Sequence, residues 1–143
     1  MATLTAYGAN YTVADNPTPS TTLDGGKWGS KVRHISDVVT MTTAADAGSL
    51  VYVGKLPKGA IPLVTLFSCD DATSTATGVI GYATDTNALG AITAITTTQE
   101  QTVWPAVFNT PLTADQDIYI TTATAATSAA TEWRVTIIYG VAD

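Results

Sequence analysis

The stretch EWRVTIIYG, residues 132 to 140, alternates in strict period two. Trp133, Val135, Ile137 and Tyr139 fall on one face of an extended strand, and Arg134, Thr136 and Ile138 on the other. A helix, with its period of 3.6, would scatter both sets around its circumference. The same alternation runs through KVRHISDVVTM, residues 31 to 41, with Arg33, Ile35, Asp37, Val39 and Met41 on one side and Val32, His34, Ser36, Val38 and Thr40 on the other. It recurs in SLVYVGKL, residues 49 to 56. Threonine makes up about a fifth of the 143 residues. It is β-branched and suits a pleated, half-buried surface. Good helix formers such as Leu, Glu, Lys, Gln and Arg are scarce. The chain is therefore expected to be all-β.

Further strands follow along the chain. IPLVTLFSC, residues 61 to 69, is almost continuously apolar, which predicts a strand that is central or covered on both faces. Pro62 is expected at its start or at an edge position. GVIGYAT, residues 78 to 84, carries two glycines that suggest a bulge or a close backbone approach. ALGAITAIT, 88 to 96, reads as a strand, although its alanines leave a short helix open. TTQEQTVWPAVFNTPL, 97 to 112, reads as a long connection, and DIYITTATA, 117 to 125, as a strand. Seven or eight short strands between turn signals predict a β-sandwich, jelly roll or barrel. The spacing does not separate a jelly roll from an immunoglobulin-like sandwich. Within LPKGAIPL, residues 56 to 63, Pro57 at the second and Gly59 at the fourth position of a type I turn predict a corner between strands.

The length fits one domain, which at this size buries about 68–70% of its unfolded surface. Residues 1 to 30 differ from the remainder. Their apolar residues follow no period, and NPTPSTTLDGG is a turn-and-extended segment because proline restricts itself and its predecessor. A disordered terminus is the plain reading. Such tails are poor in aromatics, however, whereas this one holds Tyr7, Tyr11 and Trp28. The expectation is an extended arm, 1–30, that docks on its own domain or a neighbour, and a single β-sandwich domain over 31–143. Candidate interaction residues are Leu4, Tyr7, Tyr11, Val13, Leu23 and Trp28 on the arm, with Trp104 and Phe108 in the long connection.

Charge narrows the possible partners. The net charge is −6, and 13% of residues are charged, about half the usual share of roughly 25%. Few lysines and arginines argue against a nucleic-acid partner. No run approaches the roughly 18 apolar residues of a membrane helix, and the N-terminus lacks the basic and apolar regions of a signal peptide. The single cysteine, Cys69, permits no internal disulfide. A soluble protein made in the cytoplasm is expected, with a charge-poor surface suited to burial against other subunits.

No catalytic or metal-binding pattern emerges. His34, the only histidine, sits mid-strand with no Ser/His/Asp spacing around it and is expected in the core or an interface. Cys69 has no basic neighbour to activate it and is expected to be buried. Asp70, Asp71, Asp85, Asp115 and Asp117 do not follow a calcium-loop spacing, so turn capping is the ordinary reading. DGGKWGS and GVIGYAT match neither dinucleotide nor P-loop fingerprints. Trp104 and Trp133 are expected to be core or interface anchors, with sugar stacking as the other possibility. The expectation is no enzyme, no cofactor and no metal.

KVRHISDVVTM followed by LVYVGKLPKGA resembles a recurrent class of tailed-bacteriophage virion proteins, as do GYATDTNAL (81–89), the closing WRVTIIYG and the opening MATLTAYGANYT. The resemblance implies a capsid decoration (cement) or head-associated protein: a non-enzymatic β-sandwich or jelly roll on the outer capsid surface. It implies the phage major capsid protein as partner, a homotrimer, and no active site. A trimer would bury a flat face such as that of Trp133, Val135, Ile137 and Tyr139. The alternative is a tail- or head-fibre domain gripping a host surface glycan through Trp104 or Tyr82.

Overall fold

The C-terminal strand organises the fold. In a computed structural model, described over residues 5–7, 32–71, 74–96, 101–105, 110–125 and 127–141, nine strands form two sheets among the described residues. They are β1 (Thr5–Tyr7), β2 (Val32–Met41), β3 (Leu50–Leu56), β4 (Ala60–Cys69), β5 (Thr77–Tyr82), β6 (Asp85–Ile92), β7 (Gln101–Val103), β8 (Gln116–Ala123) and β9 (Thr131–Val141). One sheet has the order β2-β9-β4-β7 and the other β1-β3-β8-β5-β6. From β2 onward nearly every connection crosses between sheets, and only β5 and β6 are sequential neighbours in one sheet. Two four-stranded sheets wound in this way are a jelly roll. This resolves the choice between sandwich topologies. β1 adds to the edge of the second sheet, parallel to β3, with Tyr7 in register with Tyr52.

β9 pairs antiparallel with β2 from Val32↔Gly140 to Met41↔Thr131, and with β4 from Ala60↔Val141 to Cys69↔Trp133. Its alternation is why it can hold this place. Trp133, Val135, Ile137 and Tyr139 are 0%, 2%, 1% and 7% exposed and point between the sheets. Each such side chain stabilises the fold by roughly 1.5–3 kcal/mol on burial. Phe67 meets Trp133 edge-on, with ring centroids 6.0 Å apart at 84°. The face suggested as a trimer contact is thus the core, because the second sheet already covers it. Asp37 shares the inward phase of β2 and is also buried, its carboxylate accepting the Val38 N–H at 2.9 Å.

β4 is interior to its sheet, as its apolar run predicts. Pro62 lies near the start of β4, beyond the reach of β7, which pairs only with Thr65 to Phe67, and its cross-strand partner is Tyr139 of β9. A bulge between Pro62 and Val64 marks the same place.

The β3–β4 connection is a corner between the two sheets, but its turn lies one residue later than the sequence suggests. Ala60 N–H donates to the Pro57 carbonyl at 3.1 Å, which puts Lys58 and Gly59 in the centre. Gly59 has φ of +82°, as the third position of a type II turn requires. Lys58 N–H is capped by the Asp115 carboxylate at 2.8 Å, and Gly59 N–H donates to the Leu112 carbonyl at 2.8 Å.

β6 begins at Asp85, three residues before the predicted strand, directly after a tight turn. Its register against β5 jumps from Ile80↔Gly90 to Tyr82↔Asp85, so several β6 residues bulge outward. Gly81 makes this possible: a Cβ there would lie 2.3 Å from the Asp85 carbonyl oxygen and 2.6 Å from the Thr86 carbonyl carbon. Gly81→Ala is expected to cost about 2–4 kcal/mol through forced backbone displacement. Gly54→Ala, whose nearest contact would be Ile35 Cγ2 at 3.4 Å, should cost under about 1 kcal/mol. Urea titration of the two variants checks this, and equal midpoints would contradict the close crossing.

Candidate interaction surface

Three features of the exterior have the geometry to do something: the outer face of the four-stranded sheet and the two ends of the sandwich.

The outer face of β2-β9-β4 carries the residues left over when the core phase points inward. Across the strands they form rows: His34–Ile138–Val64, Ser36–Thr136–Leu66 and Val38–Arg134–Ser68. Val32 and Val38 are 53% and 44% exposed, and Ile138, Val64 and Leu66 are half-buried. Arg134 is held at 2.8 Å by Glu132, and the Ser36 and Thr136 hydroxyls are 2.9 Å apart. The face therefore mixes aliphatic side chains with serine, threonine and histidine and carries little charge. His34 lies on it, exposed beside Thr136 and Ile138, so of its two expected places the core is excluded.

One end of the sandwich is pinned. Asp71, 1% exposed, accepts Ser74 N–H at 3.0 Å, Ser128 Oγ–H at 2.8 Å and Ser128 N–H at 2.6 Å. Asp70 accepts Glu132 N–H at 2.6 Å. The Thr127 hydroxyl accepts Ala45 N–H at 3.1 Å, and the Thr122 hydroxyl accepts Ser49 N–H at 3.0 Å. These side chains are spent on the loops β2–β3, β4–β5 and β8–β9, which is the capping role expected of the aspartates. Cys69 is buried beneath them. Burial pushes its thiol up to about 11; the Asp71 and Asp70 carboxylates add to this and the Asp71 N–H opposes it. The thiol is neutral and sheltered.

The opposite end is open. A cleft of about 280 Å³ lies between the β5–β6 bulge, Pro62 and the segment leading into β8. Tyr82, 8% exposed, forms part of its wall. Burial, then the neighbouring Asp85 carboxylate, pushes the Tyr82 hydroxyl up to about 12.

The interaction residues expected from sequence are dispersed. Trp104 follows β7 and is 60% exposed at the side where β6 and β7 meet. Tyr7 stands on the β1 edge strand, on the other side of the sandwich. Leu4, Tyr11, Val13, Leu23, Trp28 and Phe108 lie outside the described residues. Among the described residues no three His, Cys, Asp or Glu side chains could hold a metal ion. The outer-face residues Val32, Val38, Val64, Leu66 and Ile138 were not singled out from sequence. Their signal was present in strands that stay apolar on both phases.

Cys69 and Tyr82 make stability depend on alkaline pH, and so does Tyr119, whose hydroxyl is pushed up by burial and then by Tyr52. The ionised forms are disfavoured in the fold, so the unfolded chain loses its protons first. Stability is full below about pH 9, then falls from Cys69 between 9.0 and about 11 and from Tyr82 between 10.0 and about 12. The Cys69 and Tyr82 shifts each contribute on the order of 2 kcal/mol. Urea midpoints should stay level up to about pH 8 and drop above 9, and Cys69→Ala should remove the earlier part of the fall.

No family model matches the sequence, and no curated protein matches it. Solved structures do. A chain in the capsid of Ralstonia phage GP4 superposes with a TM-score of 0.71 at 18% identity, over 99% of this chain and 99% of that one. A chain of the cyanophage Pam1 capsid asymmetric unit gives 0.68 at 24% identity, over 87% of this chain and 100% of that one. A chain of the acidic stable capsid of Helicobacter pylori bacteriophage KHP30 gives 0.51 at 12% identity, over 77% and 93%. At these identities the likeness is one of fold: the jelly roll of this chain is also that of chains in bacteriophage capsids.

Proposed function

We propose that this chain is a non-enzymatic decoration protein of a phage head, binding the outer surface of the assembled shell and bridging neighbouring major capsid subunits. The observation that carries this reading is the end-to-end match with the GP4 chain, which leaves almost nothing of either chain over. A lone jelly roll of this length is thus a unit found in phage capsids. The charge-poor outer face supports the reading, because contact centres are depleted in charge. So does the sequence of residues 1 to 30, rich in the aromatic and proline residues of an arm that could reach a neighbouring subunit. A protein that binds the closed shell and not its separated parts stabilises the shell by mass action. Assembly as a homotrimer would place three such faces around one symmetry axis of the shell, and closed symmetry is the common case for homo-oligomers.

Co-sedimentation with heads lacking this protein tests the proposal. Wild-type protein is expected to pellet saturably with heads and to raise their thermal disruption temperature. A Val32→Asp/Ile138→Asp variant, whose cross-strand partners include no lysine or arginine, should fold normally yet bind at least about tenfold more weakly, since it buries uncompensated charge. Removal of residues 1 to 27 should weaken binding further. Failure of the wild type to pellet with heads would overturn the decoration role.

A further inference from the structure

The two ends of the sandwich use the same kinds of side chain differently. At the pinned end, Asp71, Ser128, Thr127 and Thr122 are consumed by intramolecular hydrogen bonds. At the open end, Thr84, Asp85 and Gln116 line the cleft; among the described residues Thr84 and Gln116 make no side-chain hydrogen bond, and the Asp85 carboxylate accepts Asn87 N–H at a long 3.4 Å. They border a space of about 280 Å³, close to the lower limit of small-molecule sites, about 300 Å³. Pro62 and Pro111 supply apolar walls, and the Tyr82 ring closes one side.

This cleft is built into the backbone. It exists because the β6 bulge swings outward over Gly81, where a side chain cannot fit, and because Asp115 and Leu112 fasten the segment before β8 to the β3–β4 turn. Its position is therefore fixed by the fold and does not depend on a mobile side chain.

Its chemistry selects a class of ligand. Among the described residues no lysine, arginine or histidine lines it, and Asp85 supplies a carboxylate, so a phosphate or an acidic sugar would meet repulsion there. Its mixture of amide, hydroxyl and carboxylate offers both donors and acceptors to a ring of neutral hydroxyls. The exposed ring of Pro111 suits the apolar C–H face of a pyranose. We propose that the cleft formed by Tyr82, Thr84, Asp85 and Gln116 between Pro62 and Pro111 is a binding site for a neutral hexose unit of a glycan. This goes beyond the decoration role and is independent of it; a phage head that decorates itself with such a site would adhere weakly and multivalently to a polysaccharide-coated surface.

Saturation-transfer NMR and calorimetry with methyl glycosides of glucose, galactose and mannose test the site, with N-acetylneuraminic acid and calcium chloride as controls. At least one neutral glycoside is expected to bind in the millimolar range, the ordinary strength for a small shallow site. Asp85→Asn and Gln116→Ala, both at accessible positions, should each weaken it about fivefold or more at unchanged thermal midpoint. Thr40→Ala, on the outer sheet face, should leave it unchanged. The proposal is overturned if no neutral glycoside binds up to about 50 mM, if binding survives both cleft variants, or if the acidic sugar or calcium binds in preference. None of these results bears on co-sedimentation with heads, so the failure of one proposal is distinguishable from the failure of the other.

Discussion

The ladder that β9 makes on both of its edges is the constraint on which the remainder of this structure depends. The last strand of the chain lies between β2, the first strand of the jelly roll, and β4. Without it, β2 has no neighbour in its sheet among the described strands, and β4 keeps only the three-residue β7. The core follows the same logic, since the side chains that β9 sends inward, with Trp133 against Phe67, join the two sheets. The longest of these pairings, Val32↔Gly140, joins residues 108 apart, so loop closure must precede the burial that offsets it. Slow folding and late closure are the physical consequences.

From this closure follows a division of labour on the exterior. The inward phase of β2, β9 and β4 leaves a mixed aliphatic and hydroxyl phase outward, and the sheet ends up with a face that is neither core nor an ordinary charged surface. One end of the sandwich is tied by buried carboxylate and threonine contacts to three loops. The other end is opened by the bulge over Gly81. The fastened loops and the open cleft thus lie at opposite ends of the sandwich. In the decoration role proposed here, the rigid end would keep the jelly roll intact while the face and arm engage neighbours, because binding energy spent on ordering loops is lost to affinity.

Much of this was legible in sequence. Period-two alternation located β2, β3 and β9, and the threonine excess pointed to an all-β fold. The two glycines of GVIGYAT did signal a bulge, and LPKGAIPL did mark a corner. Short strands were not legible. β1 and β7 are three residues each, too brief for alternation to show, and they exist because a neighbouring edge offers them a ladder. The turn at Pro57 was placed one residue early because Pro-x-Gly fits two registers, and only the contacts with Asp115 and Leu112 choose between them. Alternation says that two faces exist without saying which is inward, so the Trp133 face could be read as a contact surface. The cleft was invisible because it depends on β6 folding outward over Gly81, although Tyr82 itself was flagged.

The most direct test of the decoration role is a cryo-EM reconstruction of the phage particle that carries this chain. The expected result is a jelly-roll density traceable as this protein on the outside of a continuous shell made by another polypeptide, with its N-terminal segment reaching across a subunit boundary. A shell whose continuous wall is this jelly roll itself, or a density found only in the tail, would contradict it.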